Sequence, residues 1–205
     1  MSSRAAWAAL ALAMASGCVN VTPTVKTDVP PDPHTGYVAG AFSNQGTRGA
    51  GFGFWLVGPG NQEVVLAFDG AVVSGSPSSA RLGMVSVPPG EYRVASWVTF
   101  SMFHEILKKS PIPTDHGLAR SFVVKEGHVV FLGSFGASTT RGFGRTTFTI
   151  QPEPTGADQV PIIVRNGYPR FAAAPLECLL CSAPPPGAKV DAAMPAIAPA
   201  RKAQD

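Results

Sequence analysis

The chain has 205 residues, a formal charge of +3, and 14% charged side chains. Soluble domains usually carry about 25% charged residues, and so small a net charge leaves no electrostatic footprint for a nucleic-acid partner. With 22 Gly and 20 Pro the chain is no helical bundle, and with 45% hydrophobic residues it is not a highly charged disordered one.

Residues 5–15 (AAWAALALAMA) form an apolar run behind Arg4, and no acidic residue precedes Asp28. That length suits an export signal and is too short for a permanent bilayer-spanning helix. The run ends in Ala15-Ser16-Gly17-Cys18. This resembles the lipobox of bacterial lipoproteins, with Ala15 where that family more often has Leu. The resemblance implies cleavage before Cys18, lipidation of its thiol, and a membrane partner gripped at about 0.8 kcal/mol per buried methylene. Val19 in place of Asp implies, within the same family, passage to the outer membrane of the bacterial cell envelope. The competing reading is an ordinary secretory signal cut near residues 13–15, which leaves Cys18 as an unmodified thiol.

Proline spacing divides the chain beyond Cys18. Four prolines fall in residues 19–36, six in 37–151 and ten in 152–205. Residues 18–36 read as an extended lipidated tether. Residues 167–205, with Pro184-Pro185-Pro186 and an Ala/Pro-rich end, read as a largely disordered tail. Residues 37–166 are then the folded domain, large enough for one core.

Inside it, period-two alternation dominates. Phe52, Phe54 and Leu56 share a strand face, as do Val64, Leu66 and Phe68. Tyr92, Val94, Val98 and Phe100 make a third stripe, with Arg93 and Thr99 opposite. Phe122 and Val124, the run 129–132, and Thr146, Phe148 and Ile150 complete the set. Gly58-Pro59-Gly60-Asn61, Asp69-Gly70, Pro88-Pro89-Gly90 and Lys125-Glu126-Gly127 supply turns. Residues 102–109 carry the one helical spacing, Phe103, Ile106 and Leu107, before Pro111 and Pro113. The expectation is an all-β fold: an antiparallel β-sandwich, immunoglobulin-like or prealbumin-like, of about seven or eight short strands. VSVPPGEYRVASW, SFVVKEG and HVVFLGSFG, spanning about residues 85–135, are similar to small β-sandwich modules of bacterial envelope lipoproteins. That resemblance implies the same fold and adds little about function.

Chemistry-bearing residues are few. Cys178-Leu179-Leu180-Cys181 is a CxxC. In an oxidising compartment it reads as a disulfide; free thiols, a redox centre or half a metal site are the other readings. A redox centre needs a helix start to lower a thiol pKa, and zinc needs two further ligands. His34, His104, His116 and His128 are scattered, with no metal-ligand spacing. Residues 141–148 (RGFGRTTF) imitate an RNA-binding octamer but carry Arg145 where an aromatic is needed. Gly49, Gly51 and Gly53 open a strand rather than a helix, so they point to a bulge or close packing instead of a phosphate loop.

Trp55 and Trp97 stand opposite their strands' apolar stripes, where they can stack on sugars or enter a partner protein unless loop 101–119 covers them. No cofactor, metal or catalytic centre is expected. The functional expectation is a non-catalytic structural or binding sandwich on a lipid anchor, with an envelope protein or glycan as partner. A carbohydrate- or peptide-binding module using the tryptophans is the alternative, and a thiol oxidoreductase using Cys178 and Cys181 the third reading.

Overall fold

Alternating strands separated by turn residues assemble as two stacked sheets in the computed structural model, which describes residues 22–45, 51–68, 81–100, 106–142 and 145–182. The first sheet contains β1 (Gly36–Gln45), β4 (Arg81–Val87), β8 (Val129–Gly142), β9 (Arg145–Glu153) and β10 (Leu176–Cys178). The second contains β2 (Gly51–Val57), β3 (Glu63–Phe68), β5 (Gly90–Phe100), β6 (Ile106–Pro111) and β7 (Phe122–Val124). The fold is thus an all-β sandwich. Its strands number ten among the described residues, and β7 and β10 are only three residues long.

Pairing is mainly antiparallel, with two exceptions. β8 runs parallel to β1 on one side and, over its first residues, to β10 on the other. The second sheet lies between β1 and β8 in sequence, so it forms the long crossover that a parallel pair requires.

The main core fills the space between the sheets. Phe42, Phe52, Phe54, Phe68 and Phe135 meet there with Val38, Leu66, Val85, Val130 and Leu132. Phe42 stacks on Phe52 and Phe68 at centroid distances of 5.4 and 5.1 Å, and Phe54 meets Phe135 edge-on at 4.8 Å. Such aromatic pairs add about 0.5–1.5 kcal/mol each beyond area burial.

Two bulges reset the alternation. In β5, Trp55 faces Ser96 while Leu56 faces Val94, so Ala95 is an extra residue. The stripe read from the sequence therefore breaks: Tyr92 and Val94 point into the main core, whereas Val98 points outward with Trp55, Val65 and Ala67. In β8 the register slips beyond Phe131, where Gly133 takes φ +137°, a conformation suited to glycine. That slip lets Leu132 and Phe135, three apart, share the inner face.

The expected helical turn is corrected as well. Residues 106–111 pair with β5 as strand β6, whose main-chain bonds to a neighbour outweigh a weak helical spacing. Residues 101–105 lie outside the described residues.

The largest difference concerns the two flanks. After β9 the chain forms α1 (Val160–Gly167), a 3₁₀ turn at Pro169–Phe171, and β10. Val160, Ile163, Val164, Tyr168 and Phe171 are buried against Tyr37, Ala39, Ala41, Met84, Val129 and Phe131 on the outer face of the first sheet. The packed body therefore continues to Ser182, past the boundary at 166 that proline content suggests, and residues 167–182 are a cover rather than a loose tail. Residues 183–205 lie outside the described residues.

Residues 22–36 are likewise fixed to the body rather than extended away from it. Val65 N–H donates to Thr22 Oγ1 at 2.9 Å, and Val25 N–H donates to the Met84 carbonyl at 2.8 Å. Further along, Asp32 N–H and Thr35 Oγ1 donate to the Tyr37 hydroxyl at 2.6 and 3.0 Å.

Phe171 is fully buried and meets Tyr37 edge-on at 4.7 Å. Phe171→Ala is expected to cost about 3–5 kcal/mol in urea unfolding. A cost within experimental error of zero would show that the C-terminal cover is dispensable to the fold.

Candidate functional site

The tryptophans do not converge. The bulge at Ala95 places Trp97 opposite Phe54 and against the main core, half-buried, while Trp55 lies on the other face of the same sheet. Trp55 is 4% exposed, and the Lys109 ammonium sits 3.1 Å from its ring centroid. Lys109 belongs to β6, so part of the segment 101–119 covers this ring, as one of the two sequence readings has it. Of these two tryptophans, Trp97 is thus the more accessible.

Cys178 and Cys181 are joined in a disulfide with a Cα–Cα separation of 5.6 Å. Cys178 ends β10 opposite Phe131, and Leu179 N–H donates to the Phe131 carbonyl at 2.9 Å. Leu179 and Leu180 pack against the main core, whereas both cysteines pack against the outer cluster of the first sheet. The four-residue turn therefore closes over one end of the sandwich, and its two leucines plug the gap between layers. Arg120 reaches across to the Leu179 carbonyl at 3.2 Å. A thiol-redox centre draws its reactivity from the N-terminus of a following helix. Here the first cysteine ends a strand, and the turn leads to the bridge between Gly156 and Ser182.

The His116 side chain serves local structure: its Nδ1 accepts from Leu118 N–H at 3.1 Å and caps a 3₁₀ turn. The main-chain N–H of His34 donates to Asp32 Oδ1 at 2.9 Å. His104 lies outside the described residues. Among the described residues no three His, Cys, Asp or Glu side chains gather as a metal site. The octamer at 141–148 spans the end of β8 and the start of β9, with residues 143–144 outside the description. Gly53 is a close-approach glycine: a Cβ there would run into the Leu66 carbonyl. Cys18 lies outside the described residues.

Buried polar groups are sparing. Thr155 Oγ1 donates to Ser134 Oγ at 2.7 Å and holds the turn after β9. The Tyr92 hydroxyl donates to the Pro88 carbonyl at 2.8 Å, four residues upstream, which pins the turn into β5 as a tyrosine corner does in other sandwiches. Burial raises the pKa of Tyr92 above its ordinary 10.0. It does the same for Tyr168, against a backbone hydrogen bond with Met84 that acts in the lowering direction.

Lys109, Tyr168 and Phe171 do not stand out in the sequence. Val160, Ile163, Val164, Tyr168 and Phe171 recur at helical spacing, a signal present there but submerged in the surrounding Pro and Ala. Lys109 over Trp55 has no sequence signal, because the pair exists only after β6 joins β5.

Two measurements test this geometry. Lys109→Met retains the apolar stem and removes the cation, and is expected to cost about 0.5–1 kcal/mol in urea unfolding, as for a cation–π contact at an exposed site. An unchanged midpoint would mean that the ammonium contributes nothing there. The two phenols have raised pKa values in the folded state, so their contribution is fully present below pH 10. It is lost as pH rises through the folded values, because the unfolded chain gives up those protons first. Unfolding midpoints are therefore expected to fall above about pH 10, and less steeply in a Tyr92→Phe/Tyr168→Phe variant. Parallel slopes in the two proteins would refute the assignment to these tyrosines.

No family model matches the chain, and no curated protein matches it. A leucine-rich repeat protein from Bacteroides thetaiotaomicron is similar over 50% of this chain and 12% of its own length, at 11% identity and a TM-score of 0.35. A candidate cell adhesion protein from Bacteroides fragilis is similar over 60% of this chain and 46% of its own, at 12% identity and a TM-score of 0.22. The chain thus spans less than half the length of either structure.

Proposed function

We propose that this chain is a lipid-anchored protein of the bacterial cell envelope, attached through Cys18, whose sandwich works by presenting surfaces and not by catalysis. The observation that carries the non-catalytic part is the filled interior. The space between the sheets is occupied by Phe, Leu and Val side chains, and the main outer cluster of the first sheet is closed by α1 and Phe171. A fold packed in this way offers strand edges, loops and exposed faces to a partner. Its polar groups support the same reading, since the Tyr92 and Thr155 hydroxyls and the His116 imidazole are engaged in turns.

The anchoring part is supported by the sequence alone: an apolar run that stops at Ser16-Gly17-Cys18. Outer-membrane placement rests on Val19 within the same reading. Acylation at a single thiol is directly measurable. Wild-type protein is expected in the membrane pellet with fatty-acid mass on its N-terminal residue, and Cys18→Ala in the soluble fraction. Equal retention of the two proteins in the membrane would refute the anchor.

A further inference from the structure

We infer that the sandwich lies edge-on against the lipid surface that holds its anchor, with the β3 and β4 edges facing the headgroups. This rests on the proposed acylation of Cys18. The argument is one of reach. A free tether over residues 19–36 would let the domain stand as much as about 60 Å from the bilayer, at roughly 3.5 Å per extended residue. The chain is instead pinned at Thr22, through Val65 N–H on β3, and at Val25, through the Met84 carbonyl on β4. Three residues, Val19, Asn20 and Val21, then separate the acylated residue from Thr22. Extended, that leash spans at most about 14 Å.

The pinned points choose a side as well as a distance. β3 ends the order β3-β2-β5-β6, and β4 ends the order β10-β8-β1-β4. Residues 22–25 therefore cross from one sheet to the other along one flank of the sandwich. They satisfy a main-chain donor and a main-chain acceptor that edge strands would otherwise present to solvent. The opposite flank, formed by β6 and β9, is three strand spacings away, about 14 Å.

The test places single fluorescent labels on four exposed positions of the full acylated protein: Glu63→Cys and Ser86→Cys on the pinned flank, Lys108→Cys and Gln151→Cys on the far one. The protein is reconstituted in phosphatidylethanolamine–phosphatidylglycerol vesicles carrying a headgroup nitroxide. Quenching at 63 and 86 is expected to exceed that at 108 and 151 by about twofold or more, as an offset of three strand spacings implies. Val25→Asp, which removes the apolar seat of the clamp, is expected to bring the ratio towards one. Equal quenching on both flanks, or stronger quenching on the far one, in protein whose intact mass includes the fatty acids overturns this inference and leaves the anchor standing. Protein without that mass overturns the anchor itself.

Discussion

The constraint on which the architecture turns is that the central strands of the first sheet, β1 and the first half of β8, are buried on both faces. β1 sends Val38 and Phe42 inward while Tyr37, Ala39 and Ala41 point outward, and all five are buried. β8 does the same with Val130 and Leu132 inward and Val129 and Phe131 outward. A sheet of that kind needs a layer on each side. The second sheet supplies one, and α1 with the Pro169–Phe171 turn supplies the other. The central pair β1–β8 is parallel, which agrees with the tendency of parallel strands to be enclosed on both faces.

The same constraint explains which parts of the fold are legible in the sequence. β7 shows clear alternation, with Phe122 and Val124 buried and Val123 exposed, while β2 and β3, buried on both faces, are legible from the turn residues that bound them. β1 is not legible, because GYVAGAFSNQ is apolar on both faces at its start and so has no period to detect. β5 is legible as a strand but not in its phase, since a bulge at Ala95 leaves no mark in composition and still exchanges the faces of every later side chain. That exchange separates Trp55 from Trp97. The flanks mislead for a different reason. Residues 22–36 contain few apolar residues, and in residues 167–182 the apolar ones are interrupted by Pro, Arg and Glu; both stretches attach through main-chain groups, a threonine hydroxyl, single aromatics and a disulfide. Hydropathy averaged over such stretches registers proline and alanine and misses the attachment points.

The CxxC and the scattered hydroxyls illustrate how residues that can do chemistry are absorbed by structure. Cys178 and Cys181 sit where the C-terminal cover must turn from the outer face of the first sheet towards the end of the core, and Leu179 and Leu180 fill the gap that the turn crosses. Tyr92 ties the turn into β5, Thr155 the turn after β9, and His116 a 3₁₀ turn. Each of these bonds satisfies a polar atom that burial or a tight turn would otherwise leave unpaired, at a cost of about 1–3 kcal/mol. In a chain with 14% charged residues, such bonds carry much of the geometric specification that charge pairs supply elsewhere.

The two flanks also depend on one another. Val25 packs against the same outer cluster as Phe171, Tyr168 and the two cysteines, and its amide is bonded to Met84, a member of that cluster. The seat of the N-terminal clamp is thus partly built by the C-terminal cover. Residues that share a cluster couple energetically, and the coupling acts in both directions. Weakening the cover therefore weakens the hold on Val25, the second of the two pinned points. Tight packing at the carboxyl end of the chain in this way governs how closely the amino end can be held.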